Sequence, residues 1–303
     1  MVSPLCMTWR HKGDTIRTLV AGALAGLTLS AVVHAQDSGT GGGMTAPDFS
    51  EACPAIYPGD DATRERIARW MARGAADRGI PDELPVMAGI AESGLRNLRG
   101  DSFFGFFGMS ASLNAGDYRG APRNPDLQLR WFLDTAGLVR QRRVAEGRPD
   151  PARDTASYGR WIADVERPTP ENRSGYQPHL DEARALIADK CAAPANDDTT
   201  PPRLATRIAA VQHPLQARGI VISVRCPDHD CLAGATVAVG ARIRRAAARE
   251  PASSGFSTIT APVPRSARRA LRTGRAVHAT VTAIAADSAA NPTARRRLVT
   301  LVK

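Results

Sequence analysis

The hydrophobic periodicity of this chain changes near residue 200. Between residues 62 and 188, apolar residues recur three and four positions apart, as Ile67, Trp70 and Met71 do, and this spacing predicts amphipathic helices. Beyond residue 203, apolar and polar residues alternate in short runs, which predicts strands with one buried face. Because the two periods suit different kinds of layer, the sequence predicts a multi-domain chain, with an all-α domain followed by a small all-β domain.

The helical stretch divides into five segments and the alternating stretch into four. The predicted helices cover residues 62–77, 82–93, 126–144, 160–165 and 178–188. The predicted strands cover residues 220–224, 235–239, 276–285 and 298–302, with a turn at 287–291 and a short helix or turn at 265–272. Several short strands of this kind indicate a β-sandwich of Ig-like type.

The first 35 residues have the three parts of a secretory signal. The basic residues Arg10, Lys12 and Arg17 precede an apolar run over 19–33, which ends in the small-x-small sequence of 33–35. An uncleaved membrane anchor is the alternative. We therefore expect an exported, extracellular protein. The expected organisation is a signal peptide at 1–35, a flexible linker at 36–50, a helical domain at 51–191, a second linker at 192–202 and the strand domain at 203–303.

Four cysteines remain beyond the signal sequence, and an even number in an exported chain predicts disulfides. Cys53 and Cys191 bracket the helical domain, whereas Cys226 and Cys231 lie close together in the strand domain. The second pair is expected to pin a tight hairpin. A metal site that includes His229 is the alternative, but two Cys and one His lack a fourth ligand. We expect no metal and no cofactor.

The net positive charge of the chain, formally +10, is concentrated in the strand domain. Residues 201–303 contain 17 Lys and Arg against four Asp and Glu. An exported protein seldom meets nucleic acid, so an anionic wall polymer or a membrane surface is the expected partner, with a merely soluble basic face as the alternative. The sequence contains no P-loop, Rossmann glycine pattern or GxSxG elbow. The arginines of this basic surface are Arg242, Arg244, Arg245, Arg265, Arg268, Arg269, Arg272, Arg275, Arg295, Arg296 and Arg297.

Glu92 is a carboxylate that breaks the hydrophobic pattern. It continues the i+4 row of Leu84 and Ala88, so it borders the apolar stripe of its helix, and Gly94 ends that helix just beyond it. Such breaks in binary patterning often mark functional residues, although a solvated glutamate above an aromatic core is the alternative. A glutamic acid that keeps its proton in an apolar site is what a general acid for glycosidic cleavage requires. The side chains expected to wall this site are Phe103, Phe104, Phe106 and Phe107.

Two short motifs carry a resemblance to a known superfamily. Glu92-Ser93 at a helix end is followed by the turn GFFGM over residues 105–109. The stretch over residues 60–190 resembles the lytic transglycosylase and goose-type lysozyme-like superfamily, and more closely a transglycosylase-like domain of exported actinobacterial proteins. The resemblance implies a lysozyme-like fold and cleavage of the β-1,4 bond between N-acetylmuramic acid and N-acetylglucosamine. Glu92 would then be the single acid/base, while the substrate's own acetamido or C6 hydroxyl group attacks and gives a 1,6-anhydro product.

The resemblance also implies roles for neighbouring residues. Tyr158 is the best match to a family tyrosine that hydrogen-bonds the acid, and Tyr176 is the alternative. In a hydrolase, Asp101 and Asp117 would be the candidates to position water. Gly108 departs from the family pattern, which has a substrate-contacting Gln at that position. The residues expected to bind substrate are Ser93, Asp101, Phe104, Gly105, Phe106, Phe107, Met109 and Tyr176.

The sequence therefore predicts a monomeric, secreted, wall-associated enzyme that acts on peptidoglycan glycan strands. The alternative is a non-catalytic wall-binding or structural protein with a degenerate lysozyme fold. The Gly108 departure motivates that alternative.

Overall fold

A computed structural model describes residues 53–188, 198–227, 231–251 and 255–303. The predicted signal peptide at 1–35, the linker at 36–50, Cys191 and most of the second linker lie outside these residues. Within the described ranges, no helix combines the length and the apolar character needed to cross a bilayer.

The first half of the described chain is mainly helical, and all five predicted helices are present. Their bounds differ from the predicted ones by a few residues, which is usual where helix ends are set by capping. The helices are α1 Arg64–Ala76, α2 Glu83–Ser93, α3 Pro125–Ala145, α4 Tyr158–Glu166 and α5 Leu180–Leu186.

Local capping explains where the helices begin and end. The hydroxyl of Thr63 accepts a hydrogen bond from the backbone N–H of Arg66 and so starts α1, while the side chain of Asn124 starts α3 in the same way. Gly94 adopts a left-handed φ of 65° and ends α2, a conformation that glycine reaches without steric cost. This ending places Glu92 in the last turn of α2.

The helical half also contains a small antiparallel sheet, so the prediction of an all-helical domain is wrong at this point. Its order is β1-β2-β3. Strands of two or three residues are shorter than the window over which periodicity can be read, which is why the sequence did not reveal them. The strands are β1 Leu98–Arg99, β2 Phe103–Gly105 and β3 Met109–Ser110.

The turn between β2 and β3 is fixed against the helices by a buried amide. The side-chain oxygen of Gln128, on α3, accepts from the backbone N–H of Phe106 at 3.1 Å, and its nitrogen donates to the carbonyl of Ala121 at 2.9 Å. The ring of Phe107 stacks on that of Phe132, with centroids 4.6 Å apart. The turn is therefore part of the packed core of the helical half.

The second half folds into two sheets whose buried residues share one apolar core. The larger sheet has the order β5-β11-β10-β7-β8 and the smaller one has the order β4-β6-β9. One helix, α6 Arg265–Arg272, follows β9 and occupies the segment predicted as a helix or turn. The strands are β4 Ala205–Arg207, β5 Val211–Gln212, β6 Ile220–Arg225, β7 Leu232–Val239, β8 Arg242–Arg249, β9 Ser257–Ala261, β10 Val277–Ala286 and β11 Pro292–Leu301.

The predicted strands are present, but the sheets extend further than the sequence indicated. Strand β11 begins at Pro292 and not at residue 298. The sequence did not predict this early start, because Arg295 and its two arginine neighbours are exposed and show no hydrophobic alternation. The predicted turn before it is confirmed, with Asp287 accepting from the N–H of Asn291 at 2.8 Å. The predicted disulfide between Cys226 and Cys231 is also present. The hairpin expected there is wrong, because β6, which ends just before Cys226, and β7, which begins just after Cys231, belong to different sheets.

The C-terminal end of α3 packs directly against the larger sheet. Val144 and Ala145 form an apolar cluster with Leu232 and Ala286. At the edge of this contact, the carboxylate of Glu146 accepts from a backbone N–H of β8. The helical half and the two-sheet half are thus in contact through buried side chains as well as joined along the chain.

Candidate active site at the end of α2

Glu92 lies half-buried on the last turn of α2, and one of its carboxylate oxygens is held by a tyrosine. The hydroxyl of Tyr176 donates to Oε1 of Glu92 at 2.5 Å. Tyr176 is 3% exposed and comes just before the turn Gln177–His179, which packs against α2. The carboxylate therefore has a fixed partner contributed by a segment 84 residues further along the chain.

Tyr176 is held in its neutral, donating form. Burial, the hydrogen bond to Glu92 and the charge of that carboxylate together raise the pKa of Tyr176 far above its ordinary value. The phenol therefore keeps its proton throughout the physiological pH range. It can orient Glu92 but cannot serve as a base there.

The assignment of Tyr158 to this hydrogen bond is wrong. Tyr158 begins α4, is 5% exposed and meets Trp161 edge to face at 6.4 Å. Burial, followed by the charge of Glu83, raises the pKa of Tyr158 to about 12. The tyrosine that reaches Glu92 is Tyr176, because the segment before α5 passes over the end of α2.

A second carboxyl group, which the sequence analysis missed, lies within electrostatic range of Glu92. Glu166 is the last residue of α4, and its Oε1 is buried without a hydrogen-bond partner among the described residues. Burial, with a further contribution from the charge of Glu92, raises the pKa of Glu166 well above its ordinary value. This carboxyl group therefore favours its neutral, protonated form.

The signal that identifies Glu166 is the one that singled out Glu92. Tyr158 and Ile162 are buried and lie eight and four residues before Glu166, so all three share one row of α4. Glu92 ends such a row on α2. The same pattern, a glutamate at the end of a buried i+4 row, therefore occurs at both Glu92 and Glu166.

Gly108 lies against the other oxygen of Glu92. It sits in the turn between β2 and β3 with a left-handed φ of 55°, and a Cβ added there would lie 3.2 Å from Oε2 of Glu92. The carboxylate is therefore flanked by a phenol on one oxygen and by bare backbone on the other.

Ser93 fixes the β2–β3 turn to the helix. Its buried hydroxyl lies 2.9 Å from the carbonyl of Gly89 and 2.8 Å from that of Phe106. Gly105 is also structural, because a Cβ there would lie 2.5 Å from Oε1 of Gln128. Both residues therefore have structural roles, and their contact with substrate stays a prediction.

The expected aromatic wall belongs mostly to the core. Phe103, at 62% exposure, lies at the surface, but the other three phenylalanines and Met109 are buried. The burial of these four side chains gives them a packing role, and their contact with substrate stays a prediction. The rings and the thioether fill the space between the small sheet and the helices. The four buried residues are Phe104, Phe106, Phe107 and Met109.

Asp101 and Asp117 are both exposed residues of turns. Asp101 lies between β1 and β2, and Asp117 lies in a single 3₁₀ turn before α3. Neither has a resolved contact that ties it to Glu92, so a water-positioning role for either remains a hypothesis.

A cavity of about 870 Å³ lies between α3 and the two-sheet half, away from Glu92. Its lining holds four acidic residues and two arginines, of which Asp134 and Arg78 form an ion pair at 3.5 Å. We place the candidate site at Glu92, whose carboxylate accepts a hydrogen bond from the neutral phenol of Tyr176. Comparison of the chain with models of known protein families and with curated proteins gives no match.

Proposed function

We propose that the helical half is a lysozyme-like domain that cleaves the β-1,4 bond between N-acetylmuramic acid and N-acetylglucosamine, with Glu92 as its single acid/base. The observation that carries this proposal is the hydrogen bond from Tyr176 to Oε1 of Glu92 at the end of α2. It orients a half-buried carboxyl group whose second oxygen lies against the backbone of Gly108. We assign the two-sheet half to an Ig-like sandwich in the same proposal.

In the first step, Glu92 gives its proton to the glycosidic oxygen while the bond from that oxygen to C1 breaks. Tyr176 keeps hold of Oε1, so Oε2, on the Gly108 side, is the oxygen that exchanges the proton with substrate. In the second step, the Glu92 carboxylate takes the proton of the C6 hydroxyl as the C6 oxygen bonds to C1. The products are a free hydroxyl end and a 1,6-anhydro end, and no water is consumed.

Glu166 supports this scheme as a neighbour of Glu92 whose burial disfavours its charged form. Paired-carboxylate glycosidases need a second, charged carboxylate at the sugar or at a water molecule. Glu166 is unsuited to that task, because burial favours its neutral form and its Oε1 is enclosed. A neutral neighbour avoids repulsion when Glu92 becomes charged between the two steps. The arrangement thus favours attack by the substrate's own hydroxyl over a route through a second carboxylate.

The test is the release of soluble muropeptides from purified peptidoglycan. We expect the chain without residues 1–35 to release them and Glu92→Gln to abolish the release. Glu65→Gln, which changes an exposed glutamate of α1, is the matched control and should leave the rate unchanged. Absence of turnover by the unsubstituted protein on every wall preparation would refute the proposal.

The second candidate is a secreted protein that binds the wall without cutting it. Gly108 favours it, since the turn lacks the side chain that contacts substrate in the resembling superfamily. This candidate predicts sedimentation of the protein with peptidoglycan, no soluble product, and binding that Glu92→Gln leaves unchanged.

A further inference from the structure

Two adjoining hollows lie on the two-sheet half, one between β8 and the segment that leads into α6 and the other between that segment and residues 214–219. The first has a volume of about 520 Å³ and the second about 250 Å³. Both are lined by Pro262, Val263 and Arg268, so they adjoin along that segment. We call the two together the arginine groove.

The walls of the arginine groove are positively charged and free of acidic residues. No Asp or Glu lines either hollow among the described residues. Within the described ranges, its six arginines from the two-sheet half also form no ion pair. These arginines are Arg218, Arg244, Arg245, Arg265, Arg268 and Arg272.

In the helical half, by contrast, several arginines are paired with acidic residues. Arg140 pairs with Asp150 at 2.8 Å, and Arg143 pairs with Asp164 at 3.0 Å. Arginines concentrated without counter-charges repel one another, so the groove gains from an anionic occupant that it does not find within the described chain. Guanidinium groups bind phosphate in a two-pronged geometry, which makes phosphate the anion that suits them best.

The floor of the groove is apolar. Pro262 and Val263 run along both hollows, Ile243 lines the first at 52% exposure, and Leu215 lines the second. An occupant must therefore present carbon surface to the floor and negative charge to the walls. No aromatic side chain lines either hollow, so the groove offers bases nothing to stack on and is unsuited to single-stranded nucleic acid.

On its side towards the helical half, the arginine groove adjoins a hollow that contains acidic residues as well as arginines. A third hollow, of about 360 Å³, shares Arg148 with the first and continues towards α4. There Glu146 pairs with Arg148 at 3.0 Å, and Asp164 forms ion pairs with neighbouring arginines. Three of the five arginines of the third hollow are therefore paired with acidic residues, unlike the six arginines that the two-sheet half contributes to the arginine groove.

We propose that the arginine groove binds a linear polymer of phosphodiester-linked sugar or polyol units. The phosphates would lie between the arginines of β8 and those of α6, and the carbon backbone of each unit would lie on the apolar floor. A concave, two-lobed groove suits a chain better than a flat bilayer. This inference does not depend on the chemistry of Glu92 and holds even if the helical half only binds the wall.

The experiment measures binding of the full chain to a fluorescent poly(glycerol phosphate) oligomer. Arg244→Gln/Arg268→Gln removes one arginine from each wall, and we expect at least tenfold weaker binding, because charge-assisted bidentate contacts are lost. Arg295→Gln/Arg296→Gln removes the same charge from exposed positions of β11 outside the groove. That control should change binding by less than about threefold. Glu92→Gln should bind as the unsubstituted protein does.

Further arms separate this proposal from general charge attraction. Arg268→Lys keeps the positive charge but removes the planar guanidinium. We expect it to weaken binding more than the Arg295→Gln/Arg296→Gln control does and less than Arg244→Gln/Arg268→Gln does. Equal losses in the groove and control variants would overturn the proposal. Tighter binding to phosphatidylglycerol vesicles or to an oligonucleotide of matched charge would overturn it as well. Arg265→Gln/Arg272→Gln repeats the test if circular dichroism shows that the first double variant is unfolded.

Discussion

Removing the hydroxyl of Tyr176 tests the geometry of the candidate site. Tyr176→Phe keeps the buried ring and deletes the donor that lies 2.5 Å from Oε1 of Glu92. A hydrogen bond to a charged group contributes about 1.5–3 kcal/mol. If that bond strengthens as Glu92 becomes charged during the reaction, its loss slows cleavage roughly 10- to 150-fold, at about 1.4 kcal/mol for each factor of ten.

Tyr158→Phe is the matched control. Tyr158 is buried to nearly the same extent, and the change deletes the same atom, but its hydroxyl does not reach Glu92. Initial rates of muropeptide release are measured for both variants, and thermal unfolding by circular dichroism establishes that each remains folded. We expect the rate loss in Tyr176→Phe and a change of less than about twofold in Tyr158→Phe. Equal rates in the two folded variants would refute the role of Tyr176.

Three further predictions follow from buried or strained positions. Burial raises the pKa of Glu166, so its ionisation opposes folding. Glu166→Gln should therefore gain stability relative to the unsubstituted protein as pH rises above about 4.3, by up to about 1.4 kcal/mol per pH unit until the folded-state pKa is reached. Urea unfolding at several pH values measures this difference, and the absence of such a trend would contradict the prediction. Burial alone would raise the pKa of Asp150, but the hydrogen bonds that it accepts from Arg140 lower this pKa below its ordinary value. Asp150→Asn should therefore lower the free energy of unfolding by about 1–3 kcal/mol near pH 7, and by progressively less as pH falls below about 4. A loss of stability that does not depend on pH would contradict the pairing. Gly108 and Gly94 both have a left-handed φ, so Gly108→Ala and Gly94→Ala should each lower the free energy of unfolding by about 1 kcal/mol, measured by thermal unfolding. Only Gly108→Ala places a methyl group against the candidate acid, so only this variant should slow muropeptide release. Equal rates for the two variants would argue against the contact.

The helices were predictable because each buries a continuous stripe and ends at a recognisable cap. Leu84 and Ala88 face the core as their spacing requires, and Gly94 ends α2 where the sequence indicated. The small sheet β1-β2-β3 was not predictable, because strands this short leave no periodic pattern. Strand β8 was also missed, since its residues are mostly exposed and rich in arginine, and the pairing with β7 determines it.

The candidate site was predictable only in part. Glu92 could be found because a carboxylate at the end of a buried row is unusual. The burial of Phe106 and Phe107 could not, because which side of a turn faces the core depends on Gln128, contributed by α3. The choice between Tyr158 and Tyr176 likewise depended on how the segment before α5 crosses α2, and no local pattern encodes that crossing.

In the proposed reaction, Glu92 transfers the proton and no water is consumed. Mass spectrometry of peptidoglycan digested in ¹⁸O-labelled water measures whether water enters the product. We predict muropeptides that lack ¹⁸O and weigh one water less than the hydrated products, and no products from Glu92→Gln. Products that carry ¹⁸O at a reducing end, or the same products from Glu92→Gln, would contradict the account.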